Sequence, residues 1–249
     1  MDAAYYQTYY RFERDHWWFR AREQIVVGHV GSLIGHLGRP LRILNVGVAT
    51  GRSSEVLARF GTVVSIEYDR ATAEVARSVL GATVLRASIA ELPCADCTFD
   101  LVCALDVLEH VENDRAATEE LKRVCAPGGF VCVTTPAFQA LWSHHDEVNH
   151  HLRRYYMRDV ERLFASGGTV VYSTYFTCIL FPALFAFRVA TRMLPNRTGR
   201  GDAGSDFTVR NPPAVERLLY RLMLIDASWI SHRRRLPFGA SLLLSWQKA

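Results

Sequence analysis

From Leu41 onward, short aliphatic and β-branched runs alternate with stretches of helical periodicity. The runs are nearly continuous in apolar residues, which is the pattern of strands buried on both faces of a parallel sheet. They predict strands at 42–46, 63–67, 83–86, 101–105, 130–134, 169–175 and 242–246. Helices are expected between them at 53–60, 71–80, 116–125 and 157–165. Pro127-Gly128-Gly129 is expected to stop the third helix and turn the chain into the next strand, because proline cannot continue a helix and glycine accepts positive φ.

Two segments fall outside this alternation. Residues 1–37 form an aromatic-rich helical leader with Tyr5, Tyr6, Tyr9, Tyr10, Trp17, Trp18 and Phe19. Residues 176–237 form an insertion before the last strand: an apolar helix, a polar stretch at 195–211 that reads as a loop, and an amphipathic helix from Pro213. That last helix carries an apolar stripe at Leu218, Leu219, Leu222 and Ile225, with Glu216, Arg217 and Arg221 off it. The expected organisation is one domain over 1–249: leader 1–37, core 38–175, insertion 176–237 and last strand 238–249.

Composition narrows the class. Hydrophobic residues make up 49% and charged residues 22% of the 249 positions, so the chain can build a core. The net charge of +4 is mild and the basic residues are dispersed, which argues against a nucleic-acid partner. Cys94 and Cys97 form a lone CxxC without a second half and read as a loop; with no disulfide framework, a reducing, cytoplasmic setting is expected. Residues 1–22 are aromatic and charged without a continuous apolar run, so they are not expected to act as a secretory signal. The apolar stretch 176–194 has the length of a membrane span, but Pro182 interrupts it and Arg188 charges its middle, so any membrane contact is expected to be peripheral.

The sharpest local signal is Arg42-Ile43-Leu44-Asn45-Val46-Gly47-Val48-Ala49-Thr50-Gly51, where a strand ends in small residues and a helix opens. Small residues let the backbone turn tightly and approach a ligand. Glu67 closes the next strand, and a carboxylate there can accept both ribose hydroxyls of a nucleoside.

Ile43 to Gly51, Ser65 to Asp69, Leu92-Pro93, Phe99 to Val111 and Leu121 to Pro136 together resemble class I S-adenosylmethionine-dependent methyltransferases. The resemblance implies an α/β, Rossmann-like fold: a seven-stranded, mostly parallel sheet with helices on both faces, here with an N-terminal helical lid and a helical insertion before the last strand. It implies S-adenosylmethionine as cofactor. Gly47, Ala49 and Gly51 would line its methionine part, Glu67 would hold the ribose and Tyr68 would pack on the adenine. Ser88 and Ile89 would neighbour the adenine, and Leu105 would face the methionine moiety. Three positions depart from the family pattern: Asn45 replaces the usual acid, Ala49 the middle glycine and Ser88 the adenine-reading acid. His16-Trp17-Trp18-Phe19-Arg20, Leu141-Trp142-Ser143 to Tyr155 and Leu180-Phe181-Pro182 further resemble a bacterial small-molecule subgroup.

Methyl transfer from a sulfonium is an in-line displacement, so the protein chiefly aligns the acceptor and removes its proton where needed. The densest supply of suitable groups is 142–155. His151 is the preferred base, His145 the second, and His110 a pocket residue, since histidine titrates near neutrality. His144 and His150 read as exposed. Trp142, Arg153, Arg154 and Tyr155 are candidates for substrate contact, and Trp18 and Arg20 for a lid that excludes water. Asp106, Glu109 and His110 have a spacing compatible with a divalent cation, but no metal is expected. The expected acceptor is a small hydrophobic or aromatic molecule of secondary or cell-envelope metabolism, with a homodimer open. The alternatives are a non-methylating reaction such as ring closure on the same scaffold, or a non-catalytic binding module.

Overall fold

A computed structural model describes residues 10–193 and 211–249. Seven strands form one sheet: β1 (Leu41–Val46), β2 (Gly61–Glu67), β3 (Val84–Arg86), β4 (Phe99–Leu105), β5 (Cys125–Pro136), β6 (Gly168–Phe176) and β7 (Ser241–Lys248). Their order is β3-β2-β1-β4-β5-β7-β6, and only β7 runs antiparallel to its neighbours. The Rossmann-like expectation and every expected strand are met. All seven residues of β4 are buried, as a central strand covered on both faces requires.

The helices are α1 (Trp17–Ile34), α2 (Arg52–Leu57), α3 (Arg70–Leu80), α4 (Asp114–Val124), α5 (His144–Val148), α6 (Met157–Leu163), α7 (Phe181–Met193) and α8 (Pro213–Ser231). One face of the sheet packs Val102, Ala104, Val131 and Val133 against Leu121 of α4 and Val160 of α6. The other packs Ile43, Leu101 and Cys103 against Val26, Val30 and Leu33 of α1. Local chemistry sets the helix ends. Asp69 accepts the Thr72 N–H at 2.9 Å to start α3, and Gly81, at φ 59°, ends it in the left-handed region that glycine adopts without penalty.

Four expectations need correction. The third expected helix ends at Val124, before Pro127-Gly128-Gly129, because Cys125 is already extended and begins β5. The register jumps from Phe99 opposite Cys125 to Leu101 opposite Phe130, so Pro127-Gly128-Gly129 belongs to a bulge within the strand. Pro182 does not interrupt a helix; it sits in the first turn of α7, where its missing N–H costs nothing. In α8, Leu218 and Ile225 are 56% and 45% exposed, and the buried face is Met223, Asp226, Ala227 and Ile230. Small groups decide that face: α1 and α8 approach until a Cβ on Gly28 would lie 3.1 Å from Ser231 Cβ, and Asp226 accepts the Cys178 N–H at 2.6 Å.

Only part of the leader behaves as a cover. Ala21, Ile25, Val26, His29 and Val30 of α1 are buried, and His29 Nε2 lies 2.6 Å from Ser245 Oγ of β7, so α1 is a structural layer. The preceding helical residues, 10–15, place Glu13 against Thr50. Tyr5, Tyr6 and Tyr9 and the polar stretch through residue 210 lie outside the described residues. Among the described residues no helix is long and apolar enough to cross a membrane.

Candidate active site

Reversal of strand order between β1 and β4 opens a crevice at the carboxyl ends of the strands, where open α/β sheets bind ligands. A cavity of about 1210 Å³ occupies it. Its wall brings together Gly47, Ala49, Glu67, Tyr68, Ser88, Ile89 and Leu105 of the expected cofactor set, and His110, His145, His151, Trp18 and Arg154 of the expected acceptor set. Gly51, Arg20, Trp142, Arg153 and Tyr155 are not brought to it.

The turn after β1 is tightly determined. Gly47 has φ 71°, and a Cβ there would meet Val107 Cγ2 at 2.5 Å. Ala49 holds φ 48°, a left-handed conformation that strains any residue with a Cβ. Its N–H donates to Glu67 Oε2 at 3.0 Å, while Tyr68 and Asp69 N–H donate to Oε1 at 2.9 and 3.1 Å. Burial raises the Glu67 carboxyl despite these donors. A carboxylate has about four lone-pair sites and these donors take three, so the free site on Oε2 has capacity for one ribose hydroxyl. Tyr68 is 71% exposed at the rim, whereas Ile89 and Leu105 are buried. Asn45 donates to Ser53 and Ser54 Oγ at 2.8 and 2.9 Å, which ties it to α2 rather than to the cavity. Gly51, at φ 94°, precedes α2 and shapes the turn.

At the opposite end, Asp146 is fully buried, accepts the Ser143 N–H at 2.8 Å and holds two side chains of the expected set. His151 Nδ1 lies 2.9 Å from Oδ1, and Arg154 donates to Oδ1 and Oδ2 at 2.7 and 3.0 Å. Burial alone would raise this carboxyl, but His151 and Arg154 outweigh it and hold it well below the carboxylate range. An ionised Asp146 only accepts, so His151 donates to it from Nδ1 and Nε2 is the ring nitrogen left for other partners. The rings of His110 and His145 stand 4.8 and 6.0 Å from that of His151. Burial, helped by His151, lowers His110 to about 4, so it is neutral near pH 7. His144 and His150 are exposed, as expected.

The remaining candidates have structural partners. Arg153 donates to Asp114 and to the Glu112 carbonyl, and the single proton of the Tyr155 hydroxyl lies between Asp114 at 2.9 Å and the Leu108 carbonyl at 3.1 Å. Arg20 lies over the Tyr220 ring. Asp106 pairs with Arg22 at 2.6 Å and lines the same cavity as Glu109 and His110. Glu109 and His110 meet His151, with one ligand atom from each within 4.8 Å of the others. Both oxygens of Glu109 are buried without a hydrogen-bond partner among the described residues.

Glu13, Arg22 and Asp146 were not legible as site residues. Glu13 is 8% exposed, and burial pushes it up to about 7 against the Thr50 hydroxyl, Arg22 and Arg14. No periodicity or motif connects positions 13 and 50. Asp146 stood within the expected cluster, but nothing in the sequence indicated that it would orient His151.

Residues 44–133 match the model of a methyltransferase domain. Over 124 residues the chain is 28% identical to a probable S-adenosylmethionine-dependent methyltransferase of Mycolicibacterium smegmatis, covering 49% of this chain and 46% of that protein. The match thus spans under half the length of that relative. In fold, the chain is similar to a Galdieria sulphuraria structure assigned as a sarcosine dimethylglycine methyltransferase, with TM-score 0.59, 13% identity and coverage of 92% and 86% of the two chains. It is also similar to the cyclase SpnF, with TM-score 0.55, 19% identity and coverage of 89% and 80%.

Proposed function

We propose that this chain, through the methyltransferase domain at 44–133, transfers the methyl group of S-adenosylmethionine to a small-molecule acceptor. The carrying observation is one continuous cavity, with Glu67 and the glycine turn at one end and His151 at the other. Glu67 accepts a ribose hydroxyl, and Gly47 and Ala49 leave room for the methionyl chain. The cofactor supplies the electrophilic methyl group. His151, oriented by Asp146, removes the acceptor proton at Nε2, and Arg154 keeps Asp146 ionised. Trp18, Leu184 and Phe187 on the cavity wall favour an apolar or aromatic acceptor and exclude water from the sulfonium. Release of S-adenosylhomocysteine over a panel of phenols, hydroxy acids and amines tests this reading. Tight cofactor binding with a product but no homocysteine derivative would favour a non-methylating reaction, and binding without any product a non-catalytic module.

The unpartnered Glu109 beside His110 and His151 favours a second reading, in which these three hold a divalent cation that acidifies an acceptor hydroxyl. Zinc or magnesium titration followed calorimetrically separates the two. A stoichiometric site lost in Glu109→Gln supports the cation, whereas full turnover after chelation leaves His151 as the base.

A further inference from the structure

S-adenosylmethionine carries positive charge on its sulfonium and α-ammonium, and both lie in the methionyl half that the glycine turn would receive. A buried cation needs a matching anion. Position 45, where the resemblance to class I methyltransferases implies an acid, holds Asn45, and its amide nitrogen is committed to Ser53 and Ser54.

Most carboxylates on the cavity wall already have a task. Glu23 pairs with Arg52 at 2.8 Å, Asp106 pairs with Arg22 at 2.6 Å, and Asp69 caps α3. Glu67 gathers three backbone N–H groups, and Glu109 stands with the histidines at the acceptor end. Glu13 differs. It lines the cavity, is 8% exposed, and accepts from the hydroxyl of Thr50 inside the glycine turn. The neighbouring guanidinium groups form their salt bridges with other carboxylates, Arg14 with Glu55 at 2.6 Å and Arg22 with Asp106, while Arg14 Nη1 and Arg22 Nε stay buried without a hydrogen-bond partner and both charges favour an ionised Glu13. Among the described residues Glu13 has no salt-bridge partner. Burial pushes its carboxyl up to about 7, and a cation placed beside it would favour the ionised form.

We propose that Glu13, delivered by the leader against Thr50, receives the α-ammonium of the cofactor and supplies the negative charge that position 45 lacks. This rests on the S-adenosylmethionine reading above. It gives the leader a second role besides cover, because cofactor binding and leader docking then share one ion pair.

Two ligands isolate the interaction: S-adenosylhomocysteine, which has the α-ammonium, and 5′-methylthioadenosine, which lacks the amino-acid end. Calorimetry on the wild type and on Glu13→Gln, which keeps the size and a group for Thr50, gives four affinities. A charge-assisted hydrogen bond predicts a loss of about 10- to 100-fold for S-adenosylhomocysteine and under about 3-fold for 5′-methylthioadenosine. Glu13→Asp should recover part of the loss, and thermal unfolding of each variant confirms the fold. Equal effects on both ligands, or none on either, would overturn the assignment of Glu13 and leave the cofactor intact. Failure of the wild type to bind either ligand would overturn the cofactor reading and this one with it.

Discussion

His151 Nδ1 sits 2.9 Å from the Oδ1 atom of Asp146, a carboxylate with no solvent exposure that is also gripped by Arg154. The contact makes Nδ1 the donor and fixes the direction of the ring, so Nε2 has a defined place at the cavity that His151 lines. His151→Ala should therefore lower turnover by about 100-fold or more while changing cofactor affinity by less than about 3-fold. Steady-state kinetics paired with calorimetry checks the split, and wild-type turnover would remove His151 as the base.

Strain in the glycine turn gives a second prediction. Ala49 holds φ 48°, where its Cβ crowds the carbonyl, while its N–H is fixed by Glu67. Ala49→Gly relieves a left-handed residue at about 1–2 kcal/mol and costs about 0.5–1 kcal/mol in chain entropy. Urea unfolding should show a gain of about 0.5–1 kcal/mol. A loss would mean that the alanine methyl packs favourably.

Acid sensitivity follows from α1. Burial, with Arg233 nearby, lowers His29 to about 3, so it is neutral in the folded chain and takes up a proton on unfolding. The stability it contributes is complete above the ordinary histidine range near 6.5 and is lost as pH falls toward 3. In His29→Gln, the slope of unfolding free energy against pH between 4 and 6 should fall by about 1.4 kcal/mol per pH unit, one proton's worth. An unchanged slope would mean that His29 is not buried in its neutral form.

How far the sequence alone reaches can be judged from particular residues. The strands were legible because continuous apolar runs such as 101–105 have little choice when both faces are covered. Glu67 was legible because the length of a βαβ unit fixes its distance from Gly47. Helix ends were less so, since Cys125 joins β5 through pairing with Phe99, a contact local propensity does not record. The outward turn of Leu218 and Ile225 was not legible either: the close approach of Gly28 to Ser231, not hydrophobicity, chose the face of α8. In the site, residue types near 142–155 were evident but their partners were not. Arg154 and His151 share Asp146, and Arg153 and Tyr155 share Asp114, through contacts that only the folded chain creates.

Calorimetric titration of S-adenosylmethionine into the wild type and Glu67→Ala tests the account most directly. The wild type should bind one equivalent, and loss of the strand-end carboxylate should weaken binding by more than about tenfold, the worth of a hydrogen-bonded charge. Equal affinity in both proteins, or no binding to the wild type, would contradict it.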